Sequence, residues 1–315
     1  MRAIHVREFG GPEVLTPVEI PDPVPGPGEV VVDLAAADII YLDTLLRAGW
    51  GADFFPKDLP YVPGGGGAGT VSAVGEGADP AWIGRRVVAR SATGYAERIT
   101  ASLREVVEIP DGLGFPEAAA ILHDGVTALL LAHDGAIRKG ERVLVTAAAG
   151  GAGSILVQLG REAGARVTAA ARGERKLALA RELGAETVVD YSLEGWQRQV
   201  EADLVFDGVG GALGEAAFEA TVEGGRFITY GTAGGEFTHI DPALAERRRV
   251  GVHNALEAGP PEQDKVRAVL AQALDLAAKG TIRPAIGATF PLERARDAHV
   301  SLAERATAGK SLLLI

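Results

Sequence analysis

Apolar and polar residues are arranged in two different ways along this chain. Up to about residue 116, short apolar runs recur at 3–6, 29–34, 68–74, 86–89 and 96–100. Proline and glycine separate them, most densely across 21–28. Short alternating runs with such punctuation predict strands of a Greek-key or barrel-like domain. From 117 to about 254 helical and strand periods take turns. Helices are predicted at 117–131, 153–162 and 174–183, with strands at 142–146, 166–170, 187–189, 204–206, 226–230 and 249–254. Strand-helix alternation with short links implies a parallel sheet covered on both faces, a doubly wound Rossmann domain. Helices at 262–279 and 292–304 and a strand at 311–315 follow. They are expected to return to the first domain. The predicted organisation is therefore α/β: a discontinuous β-rich domain at 1–116 and 255–315, and a Rossmann domain at 117–254.

The sharpest local feature is the run from Val143 to Gly153, an apolar strand that enters small residues and then a helix. Against the dinucleotide fingerprint of three spaced glycines, Ala148 stands first, with Gly150 and Gly153 after it. Gly150 lets backbone approach a pyrophosphate, and Gly153 lets helix and strand pack closely. The helix N-terminus offers free N–H groups and partial positive charge to phosphates. Ala149, Gly150, Gly151, Ala152 and Gly153 are the candidate phosphate cradle.

The strand at 166–170 decides which dinucleotide fits. An NAD site places Asp or Glu at the end of this strand, on the ribose 2′-hydroxyl. Here the chain reads Ala171-Arg172-Gly173, with Lys176 one helical turn on. Guanidinium and ammonium suit a 2′-phosphate, so the expected cofactor is NADPH, contacted by Arg172 and Lys176. Arg175 is expected to be solvated.

Composition narrows the chemistry. The 315 residues are 47% hydrophobic and 23% charged, an ordinary globular balance. The net charge of −11 argues against non-specific nucleic-acid binding. No apolar run approaches a bilayer span, and the N-terminus reads as a strand instead of a signal peptide. The expected location is cytoplasmic. With no cysteine, thiolate zinc sites, Fe–S clusters and thiol nucleophiles are excluded.

Several stretches in this order resemble the zinc-free quinone oxidoreductase branch of the medium-chain dehydrogenase/reductase superfamily. They are residues 41–49, Val62-Pro63-Gly64, Gly67-Ala68-Gly69-Thr70-Val71, Gly84-Arg85-Arg86-Val87, Gly125-Val126-Thr127-Ala128, the glycine turn, Asp190-Tyr191 and Gly309-Lys310-Ser311. The resemblance spans nearly the whole chain. It implies a GroES-like catalytic domain, separated by a cleft from the cofactor domain. It implies that Tyr191 contacts the adenosine phosphate and that Thr127 lies near the nicotinamide ribose. It also implies that Gly208, Val209, Gly231, Thr232 and Ala233 line the nicotinamide site. Zinc-dependent relatives carry Cys, a His-Glu pair and a four-Cys lobe; this chain has Pro63-Gly64-Gly65-Gly66-Gly67 and no lobe, so no metal site is expected. Zinc-free relatives often carry Asn before the aromatic at Tyr41 and Glu near Gly66. Here those positions are Ile40 and Gly66.

Hydride transfer to a quinone or enone requires a reduced nicotinamide and alignment, and a protein acid is optional. Tyr41 is a candidate donor to a developing oxyanion, or an aromatic wall. His123, next to Asp124, is a candidate at the cofactor–substrate junction, or a polar residue bonded to backbone. The other histidines, His299 among them, are expected at surfaces or interfaces, and Arg247–Arg249 as a solvated run. Trp50, Phe54, Phe55 and Tyr61 are expected to form an aromatic loop over an apolar pocket, favouring flat, multi-ring acceptors, and Gly66 is expected to leave that pocket open. The strand at 249–254 is expected to pair across a homodimer. The leading function is an NADPH-dependent reductase of a quinone or similar conjugated carbonyl. The alternatives are an enoyl reductase of secondary metabolism and a cofactor-binding protein without turnover.

Overall fold

The computed structural model describes residues 1–51, 55–255, 257, 259 and 261–315. In chain order, β1 (Arg2–Val6), β2 (Leu15–Glu19) and β3 (Glu29–Ile39) lead to α1 (Tyr41–Arg47). Then come β4 (Gly66–Val74), β5 (Arg86–Arg90), β6 (Arg98–Ser102), β7 (Val106–Glu108), α2 (Phe115–Ile121) and α3 (Asp124–Gly135). The next group is β8 (Arg142–Val145), α4 (Gly151–Glu162), β9 (Arg166–Ala171), α5 (Glu174–Glu182) and β10 (Thr187–Asp190). It continues through β11 (Ala202–Asp207), α6 (Gly211–Glu219), β12 (Thr221–Thr229), α7 (Pro242–Arg247) and β13 (Gly251–Asn254). The chain closes with α8 (Gln263–Ala278), β14 (Ile286–Pro291), α9 (Ala295–Ala303) and β15 (Lys310–Leu314).

These elements form two compact units. Unit 1 holds Met1–Val126, Gln263–Gly280 and Pro284–Ile315; unit 2 holds Thr127–Glu262 and Thr281–Arg283. The divisions differ from those expected at 116/117 and 254/255. The reason is packing: α2 lies on β3, β4 and β15 and so belongs with unit 1. Ala255 N–H donates to the Thr229 carbonyl beside β13, which keeps that segment in unit 2. The Gln158 amide holds both the N–H and the carbonyl of Arg283, at 2.8 and 2.9 Å, and so ties in 281–283.

Unit 2 is a six-stranded parallel sheet in the order β10-β9-β8-β11-β12-β13. Strands such as β8 and β11 are apolar along almost their whole length, as burial on both faces demands. The strand order reverses between β8 and β11, which is where open parallel sheets bind ligands. Its core gathers Leu144, Val205, Phe218, Phe227 and Trp196. Unit 1 carries a seven-stranded sheet, β14-β15-β3-β4-β5-β7 with β6 also on β3, and the hairpin β1-β2. Its core includes Ile4, Val32, Ile39, Tyr95 and Ile99, closed by Ala295 and Ala298 of α9 and Leu313 of β15. The late strand β15 sits between β14 and β3, so unit 1 is discontinuous. The overall class is α/β, Rossmann plus GroES-like.

Some elements differ from expectation. The single helix predicted at 117–131 is two, α2 and α3, broken at Leu122-His123. Residues Tyr41–Arg47 form helix α1, with the Asp43 carboxylate accepting from the N–H of the capping Ile40 at 3.0 Å. The run Arg247–Arg249 is not uniformly solvated: Arg248 stacks over Phe218 and donates to the Phe218 and Thr221 carbonyls. Among the described residues no single helix is long and apolar enough to cross a membrane.

Candidate active site

The nucleotide turn leaves β8 at Val145 and enters α4 at Gly151. No side chain caps α4, because Gly150 at its cap has none. Its first N–H groups therefore remain available to an anion. A Cβ at Gly153 would lie 2.4 Å from the Ala147 carbonyl oxygen, so only glycine permits this approach of helix to turn. Ala147 adopts φ 48°, a left-handed conformation that side chains rarely take.

One buried carboxylate braces the neighbouring loop. Asp207, at the end of β11, accepts from Thr146 Oγ1 at 2.8 Å and from the N–H groups of Val209 and Gly210 at 3.1 and 3.3 Å. Its second oxygen accepts from the hydroxyls of Thr229 and Thr238. The loop after β12 is stitched to it: Gly234 N–H donates to the Val209 carbonyl at 2.5 Å. A Cβ at Gly231 would stand 2.6 Å from the Gly208 carbonyl oxygen. These loops are thus held as one backbone surface.

Arg172 follows β9 and is exposed; Lys176 is in the first turn of α5. Beside them, Asp190 at the end of β10 accepts from Gly173 N–H at 2.9 Å and from Ser192 N–H and Oγ at 2.9 and 2.6 Å. Burial works to raise its pKa, but these bonds and the Arg172 charge outweigh it and hold the carboxyl below its usual range. Asp190 is therefore occupied as a brace for the turn. Tyr191 is only 9% exposed, its ring edge-on to Trp196 at 6.4 Å. Ala149, Gly150, Gly151, Ala152, Gly153, Arg172, Lys176, Tyr191, Gly208, Val209, Gly231, Thr232 and Ala233 all follow the carboxyl ends of the parallel strands of one sheet. Thr127 stands apart from these loops in sequence, half-buried on α3.

Unit 1 contains an ionic cluster that sequence reading saw only in part. Asp38, on β3, is 1% exposed. Its Oδ2 lies 2.6 Å from His123 Nδ1. Its Oδ1 faces the Lys310 ammonium as an ion pair, and Lys310 Nζ lies 2.7 Å from Asp124 Oδ2. Burial alone would lower the Lys310 pKa, but Asp124 and Asp38 overcome it and raise it, so the ammonium stays charged. Burial alone would raise Asp38, but Lys310 and His123 pull it below its usual range. His123 was a candidate; Asp38 and Lys310 were not. The signal was a single Asp in the apolar run Ala35-Ala36-Ala37-Asp38-Ile39-Ile40, since a buried charge demands a partner.

A second buried chain runs beside it. Arg47 Nη1 donates to His299 Nδ1 at 3.3 Å, which leaves the proton of neutral His299 on Nε2. That nitrogen is 2.9 Å from the Tyr95 hydroxyl, which donates to Asp43 Oδ2 at 3.1 Å. Burial drives the Asp43 pKa up to about 6, with Asp38 adding to the rise. Burial, then Arg47, pushes His299 down to about 3. His299 is fully buried, which corrects its expected surface placement.

Two expectations about the apolar pocket also change. Gly66 does not leave open space: at φ 124°, a Cβ there would lie 2.0 Å from the Ala89 carbonyl oxygen of β5. Of the aromatic group, Trp50 and Phe55 are 41% and 43% exposed, whereas Tyr61 packs on the unit 1 core and pairs with Val6. Phe54 lies outside the described residues. Tyr41 begins α1 and is half-buried. Among the described residues no group of three His, Cys, Asp or Glu could hold a metal.

Comparison with known proteins places this geometry. The family model described as alcohol dehydrogenase GroES-like domain matches residues 26–134, and the one described as zinc-binding dehydrogenase matches 183–313. A quinone oxidoreductase of Pseudomonas aeruginosa is 31% identical, covering 99% of this chain and 99% of its own. A human protein named as a synaptic vesicle membrane protein VAT-1 homolog is 30% identical over 100% of this chain and 86% of its own. The Escherichia coli quinone oxidoreductase, solved in complex with NADPH, superposes with a TM-score of 0.91 at 28% identity, covering both chains in full. With a glycine-turn Rossmann unit, a GroES-like unit completed by the late strand, and full-length relatives of this kind, the chain belongs to the quinone oxidoreductase branch of the medium-chain dehydrogenase/reductase superfamily.

Proposed function

We propose that the chain is an NADPH-dependent oxidoreductase that reduces a quinone or similar conjugated carbonyl without zinc. The observation that carries this reading is the uncapped, glycine-packed turn at the switch point of the unit 2 sheet, with Arg172 where a 2′-hydroxyl site would place an acid. The residues present fit the cofactor: a Cβ at Gly153 would collide with the turn, and the α4 N–H groups are free of side-chain caps. When bound, NADPH supplies the hydride.

The chain's own residues then have distinct tasks. Residues Ala149 to Gly153 receive the pyrophosphate through backbone N–H groups. Arg172 and Lys176 meet the 2′-phosphate, with Tyr191 beside them. Gly208, Val209, Gly231, Thr232 and Ala233, fixed through Asp207, shape the nicotinamide site, and Thr127 contacts its ribose. Tyr41 and His123 act at the acceptor. The lack of cysteine supports a zinc-free site, and between Asp38 and Asp124 the place of a cation is already filled by the Lys310 ammonium. The exposed Trp50 and Phe55 support a preference for flat, hydrophobic acceptors.

The test is NADPH oxidation with a panel of quinones and enones, before and after treatment with chelators. Quinone-dependent oxidation insensitive to chelators is expected. Tight NADPH binding with no oxidation by any acceptor would establish binding without turnover instead. We also propose a homodimer formed through β13, the last strand of the unit 2 sheet, where Gly251, Val252 and His253 are exposed. A monomer mass independent of concentration in light scattering would refute it.

A further inference from the structure

We infer that His123 is a general acid, held in place by Asp38, and that the site therefore serves acceptors whose reduced form is a basic anion, enones above all. The inference rests on the proposed reductase reading and adds to it a proton path. The geometry lies wholly within unit 1. Asp38 is an acceptor on the Nδ1 side of the ring at 2.6 Å, so Nδ1 carries a proton and points inward. The other ring nitrogen, Nε2, is the atom left to exchange a proton. The side chain is 22% exposed, while Asp38 and Lys310 are nearly sealed at 1% and 5%. The ring is thus the one member of this triad that reaches solvent to be recharged.

Charged groups surround the ring. Asp38 from β3 accepts at Nδ1 and orients the ring. Lys310 from β15 offsets Asp38 and is itself shared with Asp124 from the start of α3. Asp43 of α1 lies within electrostatic range of both Asp38 and His123. Asp38, Asp124 and the Lys310 ammonium thus make up the immediate cluster, with Asp43 as a third carboxyl group beyond it.

Gly65 fixes the ring from the other side. A Cβ there would fall 2.7 Å from His123 Cε1 and 2.9 Å from Nε2. The glycine is therefore a requirement for the position of the imidazole, and Asp38, Lys310 and Gly65 are positioning residues for it. In the step itself, the hydride bond electrons come to rest on the acceptor oxygen. The N–H bond at His123 Nε2 breaks, an O–H bond forms, and the neutral ring regains its proton from water. A quinone yields a weakly basic, delocalised phenolate that water can protonate unaided. An enolate is more basic and gains more from a positioned acid.

The experiment compares wild type with His123→Gln, Asp38→Asn and Gly65→Ala. NADPH affinity is measured by fluorescence, and kcat/KM is followed against pH with one cyclic enone and one naphthoquinone. Histidine nitrogen NMR of the cofactor-free protein reports the ring tautomer. His123→Gln should lower the enone rate by ~10²–10⁴ and the quinone rate by less than about tenfold. The high-pH fall in enone rate should vanish in His123→Gln. Wild-type His123 should carry its neutral-form proton on Nδ1, and Asp38→Asn should lose that preference. Gly65→Ala should lower the enone rate with the NADPH affinity kept. Equal losses with both acceptors, or an unchanged pH profile with an Nε2–H ring in wild type, would overturn the inference while leaving the reductase reading intact. Absence of NADPH binding or of any turnover in wild type would overturn the reductase reading, and the inference with it.

Discussion

At the end of β8 the groups proposed to receive a ligand are backbone N–H donors, and the residues that shape them lie between Thr146 and Gly153. Around Asp38 the groups are side chains, and they arrive from β3, from the α2–α3 junction and from β15. The first arrangement depends on what is missing, since Gly150 and Gly153 work by having no Cβ. The second depends on what is present, because each charge in a buried set is tolerated only through the others. The two regions should therefore fail in different ways when single residues are changed.

The largest effect is expected at Lys310. Lys310→Met removes the ammonium but leaves Asp38 and Asp124 facing each other's charge. Removing one partner of a buried pair costs about 3–5 kcal/mol, so the unfolding free energy should fall by that amount in denaturant titrations. NADPH affinity, measured below the transition, should stay within twofold. A loss under 1 kcal/mol would show that the cluster is more hydrated than its burial implies and would break the comparison.

Arg172→Ala tests the proposed role of an exposed side chain in unit 2. A charge-assisted contact to phosphate contributes about 1.5–3 kcal/mol. NADPH should bind at least tenfold more weakly, with NADH affinity and thermal stability unchanged. Equal weakening of both cofactors would remove Arg172 from the 2′-phosphate.

Gly153→Ala places a methyl 2.4 Å from a carbonyl oxygen that cannot move freely. Overpacking of this kind costs about 1–3 kcal/mol, and here NADPH binding should weaken along with stability. A variant that loses stability but binds normally would show that helix–turn distance does not set the phosphate site.

The smallest effect is a slope. Asp43 keeps its proton to about pH 6 when folded, against an ordinary 3.8, so across that window its contribution makes stability fall as pH rises. His299 stays neutral down to about 3 when folded, against an ordinary 6.5, so its contribution makes stability rise with pH. The two oppose each other between pH 4 and 6. Relative to wild type, His299→Gln should make the slope more negative by about 1.4 kcal/mol per pH unit, and Asp43→Asn more positive by the same amount. Parallel slopes in both variants would mean that the pair does not trade a proton in this way.

The same contrast explains what could be read from sequence. The Rossmann strands and the turn were legible because periodicity and glycine spacing are local, and their residues are neighbours in the chain. The split of 117–131 at His123 was masked by the strong helix formers Ala118–Ala120 and Leu129–Leu131 on either side, although His123-Asp124-Gly125 between them are weak ones. Asp43 and Arg47 sat in a quoted stretch, yet their partners Tyr95 and His299 come from distant segments. Gly66 was read as a lost side chain when its backbone, at φ 124° against β5, leaves no room for one. Substituting Glu there would disrupt the sheet.

The placement of β15 between β14 and β3 sets a timetable. During synthesis from the N-terminus, domains tend to fold as they emerge. The carboxylate of Asp38 is made before any strand of unit 2, and the ammonium that faces it after all of them. Until β15 arrives, closing the β3 face would bury Asp38 with His123 beside it but without the Lys310 ammonium, so premature collapse of that face is penalised. The charge thereby keeps a half-made sheet open to water until its last strand can be inserted.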